Sequence, residues 1–240
     1  MRRLLLLLLA CCAALAALAG CSRKATDDDW FPLAAGHRWT YRVTTTGDDG
    51  SAERETLTLR TLGAQTLAML DDHPAWQRRS DDGVDYWLRA DASGIYRVGS
   101  KTDLDTEPRW DKPQRFVLKA PYAPGTQWQA GTTAYLLARR NDFPREIRHT
   151  HPNIPMNYQI ETLDDAVDTP AGRFQHCLRV RGIAALRLYA DAAGGWRDLT
   201  LTTQEWYCRG VGLVKLERQE PARTAFLSGG TRTIELESFQ

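Results

Sequence analysis

Between residues 39 and 238 the chain is cut into short β-like runs by turn signals that recur about every 8–12 residues. No stretch of helical length carries 3.6-residue apolar spacing. Residues 39–46 are aromatic and β-branched, and Gly47-Asp48-Asp49-Gly50 follows as a turn. Residues 53–62 alternate, with Thr56, Thr58 and Arg60 on one face and Leu57 and Leu59 on the other. Further strands are expected at 65–70, 75–80, 84–90, 94–98, 115–120, 126–129, 132–140, 145–151, 157–163, 174–189, 196–208, 211–218 and 231–238. Residues 101–113, polar and holding Pro108 and Pro113, read as a long loop. This pattern predicts an all-β fold: an antiparallel meander forming a strongly curved open sheet or half-barrel, with little helix. One internal echo stands out. Pro32, Gly36 and Trp39 recur at the same spacing as Pro121, Gly125 and Trp128, which suggests two sheet halves with equivalent leading turns, although three matched positions also arise by chance.

The N-terminal segment is of another kind. Arg2 and Arg3 precede six leucines, Leu4 to Leu9, and apolar character runs on to Leu18-Ala19-Gly20-Cys21. Positive charge, greasy core and small residues make a signal peptide. With the cysteine, the motif resembles the lipobox of bacterial lipoproteins. That resemblance implies lipid on the Cys21 thiol and cleavage after Gly20. Ser22 at the next position, by resemblance to enterobacterial lipoproteins, permits transfer to the outer membrane, where Asp would favour retention at the inner one. The expected organisation is a signal peptide over 1–20, a lipidated tether over 21–29 ending in Asp27-Asp28-Asp29, and a single β-domain over 30–240. The membrane is then a partner through the lipid on Cys21, with the domain facing the periplasm. A formal net charge of +1 argues against nucleic acid as a partner.

Five cysteines sort by position. Cys11 and Cys12 leave with the signal peptide and Cys21 takes the lipid. Cys177 and Cys208 remain, in an oxidising compartment where thiols pair. Opposing 177 to 208 across an antiparallel hairpin centres the turn between Ala192 and Ala193, inside a run of small residues and glycines. The same register opposes Tyr189 to Trp196 and Arg187 to Asp198, an aromatic pair and an ion pair. A disulfide between Cys177 and Cys208 is the expectation; two separate buried thiols are the alternative.

Four segments carry a further likeness: Phe31 to Tyr41 around Gly36-His37-Arg38-Trp39, Asp168-Thr169-Pro170-Ala171-Gly172-Arg173-Phe174, Glu205-Trp206-Tyr207, and Gly210-Val211-Gly212-Leu213-Val214. Together they resemble the TapB-like secreted β-domains, themselves similar to the half-barrel of the lipoprotein carriers and receptors of the Lol system. The resemblance implies a curved sheet with one concave face and carries over no catalytic residue.

Candidate chemistry is sparse. His149 and His151, two apart on an expected strand, face the same way and are weak candidates for metal ligands, with no third ligand placed by the sequence. No nucleophile elbow, P-loop, dinucleotide fingerprint or zinc-protease motif occurs, so neither a cofactor nor an enzymatic activity is expected. Aspartate pairs fall at turns. Of eight tryptophans, Trp110, Trp128 and Trp206 are candidates to line a ligand cleft, with core filling as the alternative; Trp110, between the prolines, is the one expected to be exposed. These features point to a non-catalytic, lipid-anchored protein of the bacterial cell envelope that binds an apolar or amphiphilic ligand, or an envelope partner, on its curved sheet. The alternatives are an interaction lipoprotein with a filled core and, less favoured, an envelope hydrolase using dispersed residues.

Overall fold

The structure, a computed structural model, describes residues 30–67, 73–139, 153–191, 195–222 and 227–240. Among these residues fourteen strands occur in chain order: β1 (Arg38–Gly47), β2 (Ala52–Thr66), β3 (Pro74–Ser80), β4 (Val84–Asp91), β5 (Gly94–Thr102), β6 (Arg109–Lys119), β7 (Gln127–Thr132), β8 (Ala138–Arg139), β9 (Ile154–Thr169), β10 (Gly172–Asp191), β11 (Gly195–Cys208), β12 (Gly212–Glu220), β13 (Leu227–Ser228) and β14 (Gly230–Phe239). Twelve of them form one antiparallel sheet in the order β6-β5-β4-β3-β2-β1-β14-β12-β11-β10-β9-β7. The sheet curls until its two edge strands, β6 and β7, come near one another without a backbone ladder between them, so the expected half-barrel is a nearly closed barrel. The short pair β8–β13 lies apart from this sheet.

Alternation makes the wall. Along β9, Ile154, Met156, Tyr158 and Ile160 are buried, whereas Pro155, Asn157 and Gln159 between them are exposed. Strand side chains point to opposite faces in turn, so this pattern sends the apolar set into the barrel. The main core joins Leu118, Met156, Ile160, Leu178, Val180 and Leu201 across the barrel, and Trp30, Phe31 and Leu33 of the leading segment pack into it. A second cluster gathers Trp39, Tyr41, Val167, Trp206, Val214 and Leu236 around the half-cystine pair.

The internal echo has a structural counterpart. Gly36 takes φ +93° and Gly125 φ +91°, a backbone conformation that costs glycine little. Gly36 N–H donates to the Thr61 carbonyl at 3.0 Å, and Thr61 N–H to the His37 carbonyl at 2.9 Å. Gly125 N–H donates to the Ile160 carbonyl at 2.8 Å, and Ile160 N–H to the Thr126 carbonyl at 3.0 Å. Trp39 then opposes Leu59 on β2, and Trp128 opposes Tyr158 on β9, each two residues before the bonded partner. The same turn therefore launches β1 in one half of the barrel and β7 in the other.

Three expectations are corrected. The runs 53–62 and 65–70 do not form two strands: β2 continues to Thr66 through a bulge between Thr61 and Gly63. The region 101–113 is not a long loop, because β5 extends to Thr102 and β6 begins at Arg109. Pro113 follows a cis bond in edge strand β6, and a proline is tolerated where no ladder amide is required. The extra residues bulge between the Gly99–Trp110 and Arg97–Arg115 pairs, where Arg97 holds Asp111 through two bonds of 2.6 and 2.7 Å. The expected strand 132–140 is interrupted: Thr132 ends β7, Ala138–Arg139 form β8, and between them Glu220 accepts the amides of Tyr135, Leu136 and Leu137, as described below. The expected strand 145–151 lies outside the described residues.

Candidate functional site

Five strands bring a line of polar side chains into the barrel. At one end Arg78 is buried between the rings of Phe31 and Trp39, 4.3 and 4.2 Å from their centres, and donates to the Pro32 carbonyl at 2.6 Å. Burial pulls its guanidinium down to about 10, opposed by the Tyr41 and Tyr207 hydroxyls beside it. In the middle Tyr207 donates to Glu205 at 2.6 Å, and Arg115 bonds Tyr158. At the far end Arg218 and Glu220 form an ion pair of 2.8 Å with side chains only 4% and 0% exposed. Glu220 also accepts the backbone amides of Tyr135, Leu136 and Leu137 at 3.2, 2.8 and 3.3 Å. This line fills the interior between the apolar layers instead of leaving it open.

Glu205 is expected to make the interior sensitive to pH. Removal from water pushes its carboxyl above 4.5, against the Tyr207 hydrogen bond and the Arg115 and Arg218 charges, which lower it. The folded state then holds this proton at pH values where the unfolded chain has released it. Its stabilising effect is complete below the unfolded value and is lost as pH rises through the folded one. Urea midpoints measured from pH 4 to pH 8 are expected to fall less for Glu205→Gln than for the native chain, so that the variant gains relative stability toward neutral pH. Parallel curves would show that Glu205 is not held protonated.

The sequence-predicted residues fall in separate places. Trp110 lies on β6, half-buried and tilted against Trp87 with ring centres 5.7 Å apart, not in an exposed loop. Trp128 is buried and stacked on Tyr158 at 5.5 Å and 11°. Its indole N–H has no acceptor among the described residues, whereas Trp39, its counterpart in the other half, donates to the Val211 carbonyl at 2.6 Å. Trp206 is buried beside the cysteines, donates to Asp165 at 2.8 Å and lies under Lys215. The exposed tryptophan is Trp196, 60% accessible, edge-on to Tyr189 at the expected cross-strand position. Cys177 and Cys208 are bonded, with Cα atoms 4.4 Å apart. The expected register holds at Leu178–Tyr207, Arg187–Asp198 and Tyr189–Trp196. Cys21, His149 and His151 lie outside the described residues. Among the described residues no group of three or more His, Cys, Asp or Glu is placed to hold a metal.

Part of the outer wall is polar. One cross-strand row runs Gln127, Gln159, Arg181 and Gln204 over β7, β9, β10 and β11, then Glu217, Thr233, Thr44 and Arg54 over β12, β14, β1 and β2. A membrane-spanning barrel turns apolar side chains outward, and this row does the reverse. No helix among the described residues is long and apolar enough to cross a membrane. A cleft of about 550 Å³ opens on the wall at β7, β9 and β10, within the usual range for binding clefts. Gln127, Asn157, Gln159, Arg181 and Ile183 form its exposed surface, with Trp128 and Tyr158 behind them. These amides were not singled out from sequence. Their only signal is the polar phase of the alternation, which any solvated strand shares.

No family model matches the chain, and no curated protein does. Two solved structures are similar. One is a candidate lipoprotein of Parabacteroides distasonis, 14% identical, covering 88% of this chain and 98% of the other with a TM-score of 0.37. The second is a candidate exported protein with a YmcC-like fold from Bacteroides fragilis, 16% identical over the same shares, also with a TM-score of 0.37.

Proposed function

We propose that this chain is a lipid-anchored protein of the bacterial envelope that acts by binding, through the outer wall of a filled barrel. The filled interior carries this reading: Leu118, Met156, Ile160, Leu178 and Leu201 are inaccessible to solvent, and the Arg218–Glu220 pair and the Glu205–Tyr207 bond occupy the space between the apolar layers. An acyl chain entering the barrel would displace buried side chains, at the cost of their packing. The reading therefore departs from an open concave face and favours the interaction protein. The anchor is Cys21, and the tether over 21–29 leads to Trp30, buried at the end of the barrel where β1 begins. Nine residues of tether span at most about 30 Å, so the domain stays close to the bilayer. By the enterobacterial resemblance, Ser22 favours attachment at the outer membrane, and the exported domain then faces the periplasm.

Metabolic labelling with an alkyne fatty acid tests the anchor. The native chain is expected to carry label and sediment with membranes, and a Cys21→Ala chain to carry none. An unlabelled native chain overturns the proposal.

A further inference from the structure

We infer that the cleft over β7, β9 and β10 is a binding site for a glycan strand of N-acetylated amino sugars. The inference names the partner class for the outer wall and rests on the reading of that wall as the working surface. Register places Gln127 beside Gln159 and Gln129 beside Asn157, while Arg181 and Ile183 continue these two rows on β10. Neighbouring strands lie about 4.8 Å apart and same-face residues about 6.8 Å apart along a strand. The result is a two-row grid on which each amide offers both a donor and an acceptor.

The chemistry of the grid selects among ligands. An acyl chain needs an apolar lining, and Ile183, 39% exposed, is the one aliphatic side chain on the cleft's exposed surface. A nucleic acid needs several cations, and Arg181 is the one basic residue in the lining. No carboxylate lines the cleft; the closest to Arg181 is Glu161 at 4.0 Å. An acetamido group fits what remains. Its N–H and carbonyl pair with a side-chain amide, its carbonyl also accepts from Arg181, and its methyl group covers Ile183. Sugar hydroxyls take the other amides: Gln129 already donates to Asn157 at 3.1 Å, which orients the Asn157 side chain. The cross-strand row continues over β11 as Gln204, so a strand lying across the sheet leaves the cleft onto more polar surface.

Calorimetry with the detergent-solubilised full-length lipoprotein and two probes, chitohexaose and maltohexaose, tests this. Chitohexaose is expected to bind about tenfold tighter than maltohexaose, which has the same length and no acetamido group, because about one hydrogen-bonded group is at stake. Gln159→Ala and Arg181→Ala are each expected to weaken chitohexaose about tenfold. Gln219→Ala, outward on β12 and away from the cleft, is expected to bind as the native chain does. Purified sacculi stripped of stem peptides by an amidase are expected to retain the protein. Absence of heat with chitohexaose, equal affinity for both sugars, or native affinity in Arg181→Ala overturns the inference. So does retention by intact but not by stripped sacculi, which assigns the cleft to peptide. None of these results bears on fatty-acid labelling, so the anchor and the glycan site fail separately.

Discussion

Replacing Glu220 with alanine is expected to cost about 3–5 kcal/mol, the range for breaking a buried ion pair by removing one partner. Arg218 would be left in the barrel with its main charge partner gone, 4% exposed and unable to reach water. The three amides of Tyr135, Leu136 and Leu137 would lose their acceptor at the same time. Those amides belong to the chain between β7 and β8, so the loss reaches beyond one side chain. Leu137 and Ala134 pack against the core there, together with Ala222 and Leu227 from the opposite segment. A urea melt followed by tryptophan fluorescence reads the change. Glu220→Gln keeps the shape and an acceptor, so it is expected to lose less. Equal stability of the alanine variant and the native chain would show that the pair is not structural.

Removing the disulfide is the second large effect. Cys177 and Cys208 are 31 positions apart, and the chain-entropy relation assigns such a loop roughly 3–4 kcal/mol. The measured figure for the double alanine variant is expected nearer about 2–3 kcal/mol, because the β10–β11 ladder already holds the loop in native-like order. For a domain of this size that corresponds to a fall in Tm of roughly 4–12 °C. Both sulfurs sit in the cluster with Trp206, Val167 and Val214, so truncation also opens space there. Thiol counting on the denatured mature protein gives a direct check. Neither cysteine is expected to react before reductant is added, and two free thiols would remove the basis of the prediction.

The β10–β11 hairpin shows what a sequence can say alone. Pairing is symmetric about a turn, so the positions of two cysteines, one aromatic pair and one ion pair determine a register, and the structure holds it along the strands. The shared turns before Trp39 and Trp128 were legible for a similar reason. A glycine at positive φ and the aromatic three residues later are local requirements, and local requirements repeat where the backbone repeats. Residues 101–113 misled because proline reads as a breaker. In β6 it lies on an edge, and whether a strand is an edge is decided by neighbours distant in sequence. Trp110 was misplaced with it.

The cleft illustrates the converse. Gln127, Gln159 and Arg181 are unremarkable polar positions on three strands, and only the order β10-β9-β7 sets them side by side. Likewise nothing in the sequence sets the half-buried Glu205 and the buried Arg218 and Glu220 apart from other charged strand residues; curvature turns their face inward. The sequence by itself determined the all-β class, the hairpin register and the half-cystine pair, because alternation, turn chemistry and symmetric pairing are short-range constraints. Near-closure, the filled interior and the outer cleft were decided by the tertiary structure alone, because each depends on which strands become neighbours and how far the sheet curls. Residues far apart in the chain settle that jointly, through packing that no local pattern records.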